Sequence, residues 1–501
     1  KPSLTLYELI KSLSDEEKTL FLKNADLQQG EKNYLKLFKY IDSELEYDEE
    51  KIKKHFKNET FVKHIASEKN QLFKHILKSL RDKRIREKNS AKTYECVKNI
   101  RILAAKGLVE LAEIESACIR EMVYKEELFY SLLDLIESEI NLVNTCYTDC
   151  EVRVKKINAL LDEKNECLNK IITLNNYQEI LGQIQYYFDR NLLVHDKSKK
   201  HILDNFLNHE LLNNLENINS TKALLLATYS RMVCFRLTKD FDKLGNEIQK
   251  AINLFKQNSF LVEEYPKLYV HLYGFYARYS AITANLSKAK ESIDHIREIK
   301  SHPSFRTDDL QNTIFCRLTV YDLIFYTYSG QYQKALDLAP VIEEVLKTKE
   351  ERLPKIELTT INFLMFVANF SVGNFSQSLK YINEIVNSDY EDSRQDLFRL
   401  AKICNLIVHY ELNNAEFLEY SYKSTKRFFN KIDYPFEYEN AFIKYFRLMT
   451  ISKKKEESKK QLFIEFRNKL TDIFKDPYQS IATEYFDLIA WVSSHINETT
   501  Y

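Results

Sequence analysis

The side chains best suited by type and spacing to do chemistry form a basic run. Residues 51–92 are rich in lysine and arginine and include Arg81, Lys83, Arg84 and Arg86, four cations within six positions. They follow an acidic stretch at 42–50, with Asp42, Glu44, Glu46, Asp48, Glu49 and Glu50. Cations at this density suit a row of phosphates or an acidic partner, and they suit a solvated helix face equally well. The whole chain carries a formal net charge of +0. This argues against nucleic-acid or membrane-surface binding by the chain as a body, and any such activity would have to come from a local patch.

The other constellations are incomplete. Cys146 and Cys150 lie one helical turn apart, but a zinc site needs two further ligands and none is evident nearby. His209-Glu210 begins like the helix of a zinc protease, yet the fifth position is Asn213 rather than His. His195-Asp196 has no upstream histidine cluster to join and reads as a solvated turn. No glycine-rich phosphate loop and no Gly-x-Ser-x-Gly nucleophile turn occurs. The residues give no catalytic set, no cofactor site and no metal site, and the expectation is a protein that is not an enzyme.

The elements around these residues must be helices. Glycine and proline occur only 7 times each in 501 residues, too few turn formers for a sheet protein of this length. Apolar residues make up 44%, enough for a sizeable core, and 32 Tyr and 31 Phe suit seams between helices. The 8 cysteines are scattered without a Cys-x-x-Cys pair, a pattern of reduced thiols in a cytoplasmic chain. No run of about 18 apolar residues predicts a membrane span. The chain starts at Lys1, which leaves room for a removed start residue or leader.

Residues 1–90 read as an N-terminal helical module whose second half is basic. Ser14 and Glu17 form a capping box, Gly30 ends that helix, Tyr34, Leu37, Phe38 and Ile41 make the next apolar face, and Leu72, Phe73, Ile76, Leu77 and Leu80 make a later stripe. Residues 91–220 read as long helices followed by an irregular connection, and residues 431–501 as a polar C-terminal helical cap.

Between these, residues 221–430 carry a recurring Gly-x-aromatic-x-x-small pattern. It appears as Gly330, Tyr332, Ala335 and as Gly373, Phe375, Ser378, and a weaker copy lies outside this range at Gly107, Val109, Ala112. Glycine ends one helix in a left-handed turn, the aromatic packs the turn, and the small residue lets the next helix approach closely. Three degenerate copies begin at Lys239, Ala284 and Asn414. The five starts Lys239, Ala284, Gly330, Gly373 and Asn414 give spacings of 45, 46, 43 and 41 residues, longer than the roughly 34 of a tetratricopeptide unit. Pro266 and Pro354 suit helix starts, and Pro340 predicts a kink inside a second helix.

On these residues the chain resembles the tetratricopeptide-repeat superfamily. The stretches SLSDEEKTLFLKN (12–24), GEKNYLKLFKYID (30–42), SEKNQLFKHILKSLR (67–81) and HYELNNAEFLEYSYKSTKRFF (409–429) further resemble uncharacterised helical-repeat proteins of Bacteroidetes-type bacteria. The resemblance implies an all-α, helical-hairpin repeat array (an α-solenoid) and is close to silent on activity. The repeat spacing and the absence of an active-site signature point to an interaction scaffold that binds a peptide or protein partner on the concave face of the array. In that geometry the inward positions of the first helices include Tyr229, Arg236, His271 and Arg278. The alternative is a nucleic-acid-associated regulator that uses 51–92, with Arg81, Lys83, Arg84 and Arg86 as phosphate contacts and the repeats as sensor.

Overall fold

The computed structural model describes residues 2–26, 32–146, 149–190, 202, 204–349, 353–388, 394–432, 435–451, 456–476, 479, 484–499 and 501, and every regular element among them is a helix. The chain divides into two compact units, Lys1–Ile171 and Ile172–Tyr501. Among the described residues no helix is long and apolar enough to cross a membrane.

The first unit begins with α1 (Pro2–Ser12), α2 (Asp15–Asp26), α3 (Asn33–Ser43), α4 (Glu49–His55) and α5 (Ile65–Glu87). Leu6, Ile10, Phe21, Phe38, Ile41, Leu72 and Ile76 close one core. The capping box forms reciprocally: the Glu17 N–H donates to Ser14 Oγ at 3.2 Å and the Ser14 N–H donates to the Glu17 carboxylate at 2.9 Å. Gly30 lies outside the described residues. The α5 stripe is narrower than its apolar residues predict. Leu72 and Ile76 are buried, while Phe73 and Leu77, one position further round the helix, are exposed. Next come α6 (Asn89–Ala105), α7 (Val109–Lys125), α8 (Phe129–Cys146) and α9 (Cys150–Arg190); the last carries the division between the units.

The second unit is a succession of helix pairs. These are α10 (Thr221–Leu237) with α11 (Phe241–Gln257), α12 (Pro266–Ile282) with α13 (Leu286–Ile299), and α14 (Asp308–Tyr328) with α15 (Tyr332–Leu336) and α16 (Ala339–Lys349). Then follow α17 (Lys355–Ser371) with α18 (Phe375–Val386), and α19 (Gln395–Glu411) with α20 (Ala415–Phe429). The first helices α12, α14, α17 and α19 also pack each on the next. Pro266 opens α12, and Pro354 caps α17. Instead of a kink at Pro340, the second helix of its pair breaks into α15 and α16 just ahead of the proline, which cannot accept a helix running into it unbroken. The final helices α21 (Glu437–Ile451), α22 (Glu456–Ile473) and α23 (Leu488–Asn497) close an aromatic core in which Phe486 lies 5.7 Å from Phe366 and 5.3 Å from Phe370.

Among the described residues, seven turns share one geometry. Gly107, Glu127, Lys239, Ala284, Gly330, Gly373 and Asn413 all have positive φ, between 50° and 76°. At each, the N–H of the following residue donates to the carbonyl five residues back, as Gln331 N–H does to Tyr326 at 2.8 Å. The left-handed residue itself donates three residues back, as Gly330 does to Thr327 at 3.2 Å. This double closure satisfies carbonyls that a helix end leaves open. Five positions on, Ala112, Leu244, Ala289, Ala335 and Ser378 are fully or almost fully buried where the second helix meets the first. The degenerate copies thus keep the turn without the glycine. One expectation needs correction: the last copy turns at Asn413, not Asn414, so its frame is Asn413, Ala415, Leu418. The Glu127 turn, with Phe129 and Leu132, is a further instance that its residue types conceal.

A Cβ at Gly330 would meet nothing within 4 Å, so Gly330→Ala costs only backbone strain, about 1 kcal/mol. Ala284→Gly relieves the same strain and raises the melting temperature. Gly274 differs, since a Cβ there would lie 2.0 Å from the Tyr321 ring. Gly274→Ala is therefore expected to destabilise more than Gly330→Ala, and thermal unfolding of the three variants checks the order.

Candidate functional site

Three first helices each present one stripe to a common cavity of about 380 Å³. From α10 come Tyr229, Val233 and Arg236; from α12, Lys267, His271, Gly274 and Arg278; from α14, Thr313, Arg317, Val320 and Tyr321. Spacings of four and then three residues keep each set on one helical face. Glu357 and Thr360 of α17 extend the wall, and Arg394 and Tyr485 complete it from further along the chain. Gly274 is required here, because its missing side chain is where the Tyr321 ring lies.

The cations are organised by three carboxylates. Glu484 serves three of them: Arg236 Nη2 at 2.5 Å, Arg278 Nη2 at 3.0 Å and Lys239 Nζ at 3.3 Å. Arg317 pairs with Glu357 at 2.8 Å. Arg394 grips Asp396 through two bonds of 2.9 and 2.8 Å and also donates to Thr360 Oγ1 at 2.7 Å and to the Tyr485 hydroxyl at 3.0 Å. The Tyr485 ring is sandwiched between charges, with the Arg278 guanidinium 4.8 Å and the Arg394 guanidinium 5.4 Å from its centroid. Burial alone would push the Glu484 carboxyl up, but Arg236, Arg278 and Lys239 overcome it and hold the group well below the usual range. Burial lowers the Lys239 ammonium, and Glu484 offsets part of that. His271, with Nδ1 3.4 Å from the Tyr229 hydroxyl, is pushed well below its ordinary value by burial and then by Arg317 and Lys267, so it is neutral at pH 7.

The four positions expected to face inward, Tyr229, Arg236, His271 and Arg278, all line this cavity. Arg317 was missed, although it lies 46 residues after His271, the same interval that separates the Ala284 and Gly330 turns. Glu484 and Tyr485 carry no local signal at all. The basic segment is not brought together in the same way. Arg81 and Arg84 are exposed on α5, whereas Lys83 is mostly buried and reaches Glu16 at 3.4 Å; the Arg86 side chain lies outside the described residues. Several cations near it are neutralised by the acidic run itself, as in Lys69 with Glu49 at 3.1 Å and Lys53 with Glu50 at 2.9 Å.

Among the described residues no group of three His, Cys, Asp or Glu is placed to hold a metal ion. The Cys146 side chain and the pair His195-Asp196 lie outside them. His209 caps a short helix by accepting the Leu211 N–H at 3.3 Å. Burial pushes the Cys234 and Cys316 thiols up to about 12, which keeps them protonated. No protein-family model matches this chain, and no curated protein matches it.

The depressed His271 has a measurable sign. Below pH of about 6.5 the unfolded chain takes a proton at this residue that the folded chain refuses, so stability present above that pH is lost as pH falls toward the folded value. His75, His295 and His409 are lowered by burial and act in the same direction. The melting temperature is expected to fall between pH 7.5 and 5.5, with a shallower fall in His271→Gln; an identical slope in that variant contradicts the assignment.

Proposed function

We propose that this chain is a non-catalytic interaction scaffold. In this reading the second unit is a tetratricopeptide-like array of helical hairpins, residues 1–90 form an accessory module and 431–501 a cap, and a peptide or protein partner binds along the first helices. The observation that carries it is the shared cavity, to which α10, α12 and α14 contribute the same stripe. Reuse of one turn geometry supports the array, since equivalent turns place successive first helices in equivalent positions. Forked guanidinium donors and ring faces are recognition chemistry, suited to orienting a ligand. Buried, protonated thiols agree with a cytoplasmic setting.

Peptide display against the purified chain tests this. Selected peptides are expected to lose at least about tenfold in affinity on alanine substitution at two or more of Tyr229, Arg236, His271 and Arg278, a loss of roughly 1.4 kcal/mol. Unchanged affinity across all four sinks the proposal. The second reading, a nucleic-acid-associated regulator, is favoured by the exposure of Arg81 and Arg84 alone. Its signature is affinity for nucleic acid that falls steeply from low to moderate salt and weakens in Arg81→Gln and Arg84→Gln.

A further inference from the structure

Helix α9 carries one apolar stripe that its own chain leaves in solvent. Val154, Asn158, Leu161, Asn165, Leu168 and Ile172 follow one another at alternating steps of four and three along this helix. A mean repeat of 3.5 residues keeps such positions on one face and is the seam of a coiled coil. In that frame Val154, Leu161 and Leu168 take the d positions, and Asn158, Asn165 and Ile172 take the a positions. Val154 is 49% exposed, Leu161 41%, Leu168 38% and Ile172 56%, and both asparagines are exposed. Other faces of α9 hold it to its neighbours. Glu163 pairs with Arg120 of α7 at 2.8 Å, Lys164 pairs with Glu137 of α8, and the Cys167 thiol donates to the Phe129 carbonyl at 3.3 Å.

We propose that this stripe is the seam of a parallel, two-stranded coiled coil with a second copy of the chain. The asparagines choose the occupant and its direction. In a parallel, in-register pair each asparagine at an a position lies across from the same asparagine, and the two amides hydrogen-bond to each other. In an antiparallel pair a positions lie across from d positions. Both asparagines would then be buried against Val or Leu of the stripe and lose hydrogen bonds to water without replacement. Leucine at d, with isoleucine at the last a position, favours two strands over three or four. The helix is already formed and held, so pairing does not have to nucleate it. The seam is about 27 Å long and about 10 Å wide. That is well under the roughly 800 Å² per partner of a standard stable interface, so the dimer is a weak one that forms at roughly micromolar concentrations and above. This pairing goes beyond the scaffold reading and does not depend on it.

Sedimentation velocity tests this on the full chain under reducing conditions, from low to high micromolar concentration. The mass per particle is expected to rise from one chain toward two. Leu161→Glu combined with Leu168→Glu, both at exposed positions where folding is not at risk, is expected to weaken association at least about tenfold. Direction is read by oxidising cysteine variants with glutathione disulfide. In the parallel register residue 154 meets its own copy, and so does residue 172. Val154→Cys and Ile172→Cys are therefore each expected to give a cross-linked dimer well above that of the wild type, whose exposed Cys118 and Cys150 set the background. A chain that stays single at every concentration overturns the proposal and leaves the stripe to a different helix. A dimer that the double glutamate variant leaves intact overturns it as well, because the contact then lies elsewhere. Cross-linking that appears only when Val154→Cys and Ile172→Cys are combined shows an antiparallel pair and overturns the parallel one.

Discussion

One carboxylate holds the candidate site together. Glu484 reaches Arg236, Lys239 and Arg278 at once, joining a segment near the C-terminus to α10, to α12 and to the turn that ends α10. The contact is long-range: Arg236 and Glu484 are 248 positions apart in the sequence, and Arg278 and Glu484 are 206 apart. It also explains a local oddity. Lys239 sits in a left-handed turn where glycine is cheaper, and its ammonium is one of the three groups on Glu484. The strain of the turn is thus held by an interaction that glycine cannot make.

Around that contact the second unit is built from buried rings and a few fully paired charges. The Arg399 guanidinium and the Glu439 carboxylate are both nearly inaccessible, and Glu439 also accepts the Phe436 N–H at 2.8 Å. Burial pushes the Glu439 carboxyl up, and Arg399 pulls it partly back. Such pairs contribute little net stability against an apolar replacement, but losing one partner is expensive, so they fix the register of the helices that carry them. The aromatic contacts of Phe366, Phe370 and Phe486 supply the non-directional part.

Local chemistry was legible in the sequence, and long-range chemistry was not. The turns at Gly330 and Gly373 follow from glycine alone, and those at Lys239 and Ala284 followed from frame and spacing. At Asn413-Asn414 two residues of equal left-handed tolerance lie side by side, so residue type cannot choose between them. Phe73 and Leu77 read as core because periodicity reports that a face exists and not how wide the neighbour covering it is. For the cavity, Tyr229, Arg236, His271 and Arg278 were reachable because each lies on the inward stripe of its own helix. Glu484 and Tyr485 were not, because no spacing rule links a residue after α22 to the faces of α10 and α12.

Native-state hydrogen exchange on wild-type and Glu484→Gln protein tests the central role of this carboxylate most directly. The account predicts that removing this negative charge leaves Arg236 and Arg278 facing each other without it, so that exchange accelerates both in α23, close after Glu484, and in α10 and α12. It also predicts that adding Arg278→Gln to Glu484→Gln recovers part of the lost protection, because one of the stranded charges is gone. Unchanged exchange in α10 and α12, or a second substitution whose effect simply adds to the first, would contradict it.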